Sequence, residues 1–516
     1  MAASEVTPAA DRSGEARRLH IVDWPPCAHS RKAGRASLFL CALFASSFSN
    51  DASAHAFGLT YTLPLPFHLY VYACLSALIA SFGMVAIFVR HSGISYEAKA
   101  QECAGSARAL LVPVCGRRSI SASTLLSAAT LWLGIVAGLI GTQNATANIN
   151  MTLFWVIFVL GFQFGVALFG NFYPRVNPWR ASVEIIERVR PQIFPLQDRR
   201  PPRYGYAIAL FFLLAVGWIE LLGGTTPRSL ALILLAYSVI NVLGCRLIGV
   251  NAWFEQCELF SVLFGVIAHG RQLVLAPHRL RSEVDHSLEK PPWTLVFFIV
   301  FMLSCTAVDG LRDTRGFVEL YWDTFYHAMA PLIGGDVIGT FGFFEKLYHV
   351  YLTVTLILSP VPIVFALWLT GKAARRLTRS DVSALEFARW FSPSIIPVAV
   401  AYSFAHYFTL LPSQGLQIVA LLSDPFGFGW NVFGTATRRF QLLIDAGVIW
   451  HVQVVAIVAG HVAGIYVAHV IAMRRSGNTR DSMVSQLPML VLMMGLTTAG
   501  LWILSQPLVG AIGSVR

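Results

Sequence analysis

Long apolar runs separated by short polar loops dominate the chain. Runs of the ~20 residues needed to cross a hydrocarbon core fall roughly at 66–90, 121–142, 151–172, 204–223, 229–250, 292–309, 347–371, 392–422, 447–473 and 486–510. They predict an all-α fold, a polytopic transmembrane helix bundle of about ten spans. Two stretches break the pattern. Segment 253–269 carries Glu255 and Glu258 in an otherwise apolar helix and is expected along the inner surface. The loop at 309–345 is acid-rich and the longest on the outer side.

Ahead of the first span, Met1 to Ser37 is polar, and Arg31, Lys32 and Arg35 precede a short apolar run from Leu38 to Ala45. Ala52-Ser53-Ala54 follows as an A-x-A site, so a cleaved signal peptide is expected. The organisation is then a 1–54 N-terminal extension with signal and a single transmembrane helical domain at 55–516.

Composition agrees with the pattern. Hydrophobic residues make up 56% and charged residues 13% of the chain, with a mean hydropathy of +0.62, too few charges to coat a water-facing surface. The net charge of +11 does not point to nucleic acid, because the cations sit in short loops between apolar runs and cluster in alternate ones. Arg90 to Arg118, Arg175 to Arg203, Arg271 to Lys290, Lys372 to Arg379 and Arg474 to Arg480 bound the cation-rich loops, whereas Gly141 to Asn150 has no cation. The positive-inside rule turns the rich loops to the cytoplasm and leaves both mature termini outside. The eight cysteines form no C-x-x-C pair and read as small buried hydrophobes.

Histidines inside apolar spans are costly and often functional. The ninth span carries His451, His461 and His469 on one face, but ~12–15 Å apart along the axis, too far to share one ion. A ligand set must therefore recruit another helix. The eighth span offers His406, expected at nearly the depth of His461, and Pro412 should break that helix beside Gln414 and Gln417. Helix-to-helix hydrogen bonding is the other reading of these rings. In the outer loop, Glu319, Asp323 and His327 follow at i, i+4 and i+8, near Asp309 and Asp313, and form either a ligand stripe or a solvated face. Signal cleavage after Ala54 would make His55 the first mature residue, whose amine and imidazole chelate copper well. No H-E-x-x-H, Walker loop or G-x-S-x-G elbow occurs.

Several segments carry a resemblance. Asn171-Phe172-Tyr173-Pro174-Arg175-Val176-Asn177-Pro178-Trp179-Arg180 is one, and Ala405-His406-Tyr407-Phe408-Thr409-Leu410-Leu411, continuing through Gln414 to Ser423-Asp424-Pro425, is another. With Gly460-His461-Val462-Ala463-Gly464, Ala468-His469 and Ala54-His55-Ala56, the chain resembles the membrane-bound fenitrothion hydrolase family of bacteria; Ala56 stands where many members have glycine. The resemblance implies an inner-membrane enzyme that hydrolyses organophosphorus triesters, a lipophilic small-molecule substrate, and periplasmic mature termini. Triester cleavage commonly uses a metal that activates water. The expected site has His406, His461 and His55 as ligands to a divalent metal ion, copper or zinc, with Asp309 and Asp424 in catalytic roles. A transporter or copper-handling membrane protein using the same histidines is the alternative.

Overall fold

The computed structural model describes residues 66–88, 121–195, 205–276, 290–333, 337–440, 444–475 and 479–506, all within one compact unit. The expected signal segment and His55 lie outside the described residues. Among the described residues the secondary structure is helical, with no strand.

Among the described residues nine helices are long and apolar enough to cross a membrane, or up to 11 if each of two bent pairs is one span. They include α1 (Phe67–Phe88), α2 (Ala122–Ile140), α3 (Ile149–Phe169), α5 (Gly205–Leu222), α6 (Pro227–Ile248) and α9 (Trp293–Arg312). Between α3 and α5 lies the shorter α4 (Pro178–Val189). Two further pieces, α7 (Val250–Gln256) and α8 (Leu259–Leu275), form a bent pair. The later helices are α10 (Val337–Leu358), α11 (Pro360–Thr378), α12 (Ala384–Phe391), α13 (Ile395–Tyr407), α14 (Ala446–Arg475) and α15 (Thr479–Ser505). The outward faces are as apolar as the inward ones: Ile79, Leu126, Val239, Val354 and Val491 are all exposed. Such faces are solvated by lipid rather than water, so the chain is a multi-pass membrane protein.

Local chemistry sets the helix ends. Ser121 caps α2 by accepting from Thr124 N, and Thr226 with Ser229 forms a capping box ahead of Pro227 at the start of α6. Gly249, at φ 111°, reverses the chain between α6 and α7, a conformation that favours glycine. Pro412 cannot donate to Phe408, and the helix bends by 47° between Tyr407 and Leu410, as the sequence suggests.

Two expectations change. Segment 253–269 does not lie along a surface. Phe260, Phe264, Ile267 and His269 are buried, and α8 packs against α3, α5, α13 and α14 in the centre of the bundle. Of its two carboxylates, Glu258 is fully buried and satisfied: it caps α8 by accepting from Phe260 N and Ser261 N, and it accepts from Tyr237 Oη at 2.7 Å and Asn177 Nδ2 at 3.4 Å. A hydropathy reading counts that carboxylate as a barrier to burial, whereas four donors remove most of its cost.

The expected loop at 309–345 is largely helix. Asp309 lies inside the last turn of α9, and helical turns follow over Arg315–Glu319, Leu320–Tyr326 and His327–Ile333. These turns pack on α10 through aromatic rings. Tyr321 lies 4.8 Å from Tyr348, Tyr326 lies 4.9 Å from Phe344, and the Tyr321 hydroxyl donates to Phe344 O at 2.7 Å. Helices α10 and α11 run on as one apolar stretch, Gly339–Thr378, of 40 residues. At ~1.5 Å per residue that is about 60 Å, twice the hydrocarbon thickness. Trp218, near the end of α5, donates to Thr353 Oγ1 at 3.0 Å, which places the first half of α10 beyond that end of the bundle.

Candidate active site

Three helices converge where α9 ends. Asp309, 5% exposed, meets His406 from α13: its Oδ2 lies 3.0 Å from His406 Nε2. The Tyr407 hydroxyl donates to the same oxygen at 2.8 Å. Arg312, one turn beyond Asp309, faces the other oxygen with Nη2 at 3.2 Å. Its Nη1 donates to Leu221 O, tying α9 to the end of α5. Both carboxylate oxygens are therefore engaged.

Backbone geometry makes this convergence possible. Asp309 and Arg312 are three residues apart and so share a helix face. His406 and Tyr407 both reach α9 because α13 ends with them. Gly310 keeps the approach open: a β-carbon there would lie 2.6 Å from Ile503 Cγ2 and 3.5 Å from His406 Cε1.

The protonation pattern of the ring follows from its partner. An ionised carboxylate only accepts, so Nε2 is the donor, and in the neutral ring Nδ1 holds the lone pair. That Nδ1 makes no hydrogen bond among the described residues, and His406 is 20% exposed. A general base is commonly arranged this way: a carboxylate orients the ring, and the opposite nitrogen, which here lies beside Gly310, is left to take a proton.

A fifth member was missed from the sequence. Glu220, on α5, lies within electrostatic reach of Asp309, Arg312 and the His406 ring, beside the Tyr407 hydroxyl. An acidic residue in an apolar span is itself a signal, because such residues are expensive in a membrane; Trp218-Ile219-Glu220 carried it.

The other expected site residues fall elsewhere. Helices α13 and α14 run antiparallel, with Gln453 donating to Ala405 O at 2.8 Å and Gly460 against Ala401. His406 is thus level with Gln453, and His461 sits ~12 Å further along the axis. The equal depth expected for the two histidines is not found. Their rings share no partner: His461 Nδ1 bonds to Ile457 O at 2.9 Å. Asp424 is a loop staple, accepting from Phe428 N at 3.0 Å and Gly429 N at 2.7 Å. His451 bonds through Nδ1 to Gly447 O, at the rim of an open apolar groove formed with Phe404, Val448, Val452 and Val455. In the stripe after α9, Glu319 pairs with Arg315 and His327 bonds to Trp322 O, while Asp323 is exposed.

Among the described residues no group of three or more His, Cys, Asp or Glu side chains is placed to hold a metal ion. Asp309, the best donor in the cluster, has one oxygen on a guanidinium and the other on a ring nitrogen and a hydroxyl. As arranged, this donor set does not fit the expected divalent ion. Comparison with protein-family models, with curated proteins and with solved structures finds no match to this chain.

Proposed function

We propose that the chain is a membrane-bound hydrolase of uncharged, lipophilic organophosphorus triesters, acting at the periplasmic face of a bacterial inner membrane with both mature termini outside. The observation that carries this reading is the 3.0 Å contact between Asp309 and His406 at the end of three membrane helices. The sequence resemblance to the fenitrothion hydrolase family supplies the substrate class.

In this reading His406 is the catalytic residue. Its Nδ1 takes a proton from water as the water oxygen forms a bond to phosphorus. The bond from phosphorus to the aryloxy oxygen breaks, and the nitrophenolate leaves with the electron pair. Asp309 is a positioning residue that holds the ring and stabilises the imidazolium as it forms. Arg312 and Tyr407 fix the carboxylate in turn. An uncharged triester concentrates in the bilayer, so a base at the lipid-water boundary meets it at high local concentration.

The test uses washed membranes, an aryl dialkyl phosphorothioate and the colour of nitrophenolate. Turnover should be present in the wild type, absent in His406→Gln at equal protein level, and insensitive to chelators. Wild-type membranes without turnover would sink the hydrolase reading, and loss of activity on chelation would return the site to a metal.

A further inference from the structure

Beyond α13 the helical turns Leu410–Ser413, Gly415–Gln417 and Ile418–Leu421 lead into a loop that is tightly folded. Ser423 is fully buried; its Oγ accepts from Phe433 N at 2.9 Å, and its carbonyl accepts from Val432 N at 3.1 Å. Asn431 Oδ1 accepts from Ala436 N at 3.0 Å, and Thr435 Oγ1 donates to Val419 O at 2.9 Å. Together with the staple made by Asp424, these bonds fix the backbone from Ser423 to Ala436. The exposure of its side chains is therefore built in.

What this loop exposes is apolar. Phe426, Phe428 and Trp430 form a triangle of rings with centroids 5.4–5.7 Å apart. Phe426 is the inner corner and packs on a small core made by Ala137, Ile149 and Leu421. Phe428 and Trp430, the outer corners, are about half exposed, and Phe433 is exposed at 70%. A cluster of exposed apolar groups on a rigid frame marks a contact surface. The level of the loop identifies the contact. Thr142 N donates to Phe426 O at 2.8 Å and Ile149 N donates to Pro425 O at 3.2 Å, which binds the loop to the turn between α2 and α3. Ala137, beneath Phe426, lies one turn before α2 ends at Ile140. Both apolar spans stop there, where hydrocarbon gives way to headgroups. Leu416, Val419 and Leu422, each three residues from the next, are exposed along the turns leading in, so the apolar surface carries on from the helices to the loop. Arg438 and Arg439 follow, both exposed.

We propose that the loop at 423–439 is a monolayer anchor: Phe428, Trp430 and Phe433 seat at the acyl–headgroup boundary beside α2 and α3, and Arg438 and Arg439 pair with phosphates of the same leaflet. Aromatic rings collect at that boundary because it is apolar on one side and wet on the other, and arginine reaches phosphate from it with a long apolar stem. The partner is the phospholipid surface. Seating the loop there fixes the turns from Leu410 to Leu421 against the bilayer, and with them the end of α13 that carries His406 and Tyr407. This inference does not depend on the hydrolytic reading.

The experiment reconstitutes the full chain in liposomes of phosphatidylethanolamine and phosphatidylglycerol and compares its tryptophan emission with that of Trp430→Phe. The difference is the signal of Trp430, and the substitution keeps a ring at a half-exposed position, so the fold is retained. Lipids brominated near the headgroup should quench that signal roughly twofold or more. Lipids brominated near the chain end should quench it less, and aqueous iodide should leave it nearly unchanged. Quenching by iodide and not by lipid would place the loop in water. Quenching by neither would place it under protein, a second copy of the chain included. Either result overturns the anchor. In parallel, a diazirine carried on the lipid headgroup and activated by light should label Phe428 and Phe433 in the unsubstituted protein. Absence of label at both would overturn the anchor independently of the tryptophan measurement.

Discussion

The imidazole of His406 hangs from the carboxylate of Asp309, Nε2 to Oδ2 at 3.0 Å, across 97 positions of sequence. The contact joins α9 to α13 and fixes which ring nitrogen is free. Asp309→Asn preserves shape but replaces an obligate acceptor with a group that also donates, so the ring is no longer held in one tautomer. Nitrophenolate release per mole of protein should drop roughly a hundredfold or more, in line with the usual contribution of a positioned general base. His406→Gln should lose at least as much. Activity within a few-fold of wild type in both would remove the dyad from the chemistry.

Tyr407→Phe separates support from catalysis. The hydroxyl donates to Asp309 at 2.8 Å, and a hydrogen bond to a charged group contributes about 1.5–3 kcal/mol. Thermal unfolding in detergent should show a loss of that order. Activity should fall less than in His406→Gln, because Arg312 still holds the other oxygen of the carboxylate. A larger loss of activity than in His406→Gln would make Tyr407 itself a reacting group.

Much of the bundle was legible because lipid imposes a coarse rule: enough consecutive apolar residues to span, with cations at alternate ends. All ten expected runs coincide with helices, the 392–422 run being the bent one. The rule fails where polar groups satisfy one another. Glu258 misled because its four donors, two of them from Tyr237 and Asn177, come from positions no hydropathy window connects. The motif around Asn177 was legible as a motif but not as a role: Asn177 caps α4 through Trp179 N and Arg180 N, and Trp179 Nε1 donates to Ser238 at 3.1 Å. In the site, His406 and Asp309 were found as residue types. Their pairing, and the place of Glu220 beside them, depend on which faces α5, α9 and α13 turn to each other. Depth counted from span ends misplaced His461 by about two turns because the true register is set by Gln453 on Ala405 O.

Gly310→Ala tests whether the dyad depends on close approach of helices. The added methyl would lie 2.6 Å from Ile503 Cγ2 and 3.5 Å from His406 Cε1. Ile503 can turn aside, so the fold should survive with a cost of about 1–3 kcal/mol. The ring has less freedom, and catalytic turnover should fall with little change in substrate affinity. Equal turnover in the variant and the wild type would mean that the site adjusts without loss.

Asp424→Ala should behave as a loop variant. The carboxylate holds Phe428 N and Gly429 N, both exposed, so water replaces it in part and the loss should be about 0.5–1.5 kcal/mol. Melting temperature should drop while activity per folded molecule stays at the wild-type level. A loss of activity matching that of His406→Gln would restore the catalytic role expected of it.

Glu258→Ala should be the most damaging substitution away from the site. It strips the cap from α8 and leaves two backbone donors, Phe260 N and Ser261 N, together with the Tyr237 hydroxyl, facing a methyl group in the middle of the bundle. Each buried donor left unmade costs about 1–3 kcal/mol, and together they rival the whole stability of a typical domain. Detergent extracts should then contain little monodisperse protein. Tyr237→Phe removes a single donor and leaves the cap in place, so it should fold with a modestly lower melting temperature. A Glu258→Ala protein as stable as Tyr237→Phe would show that α8 is held by apolar packing alone, and that its buried carboxylate is retained for some purpose other than the fold.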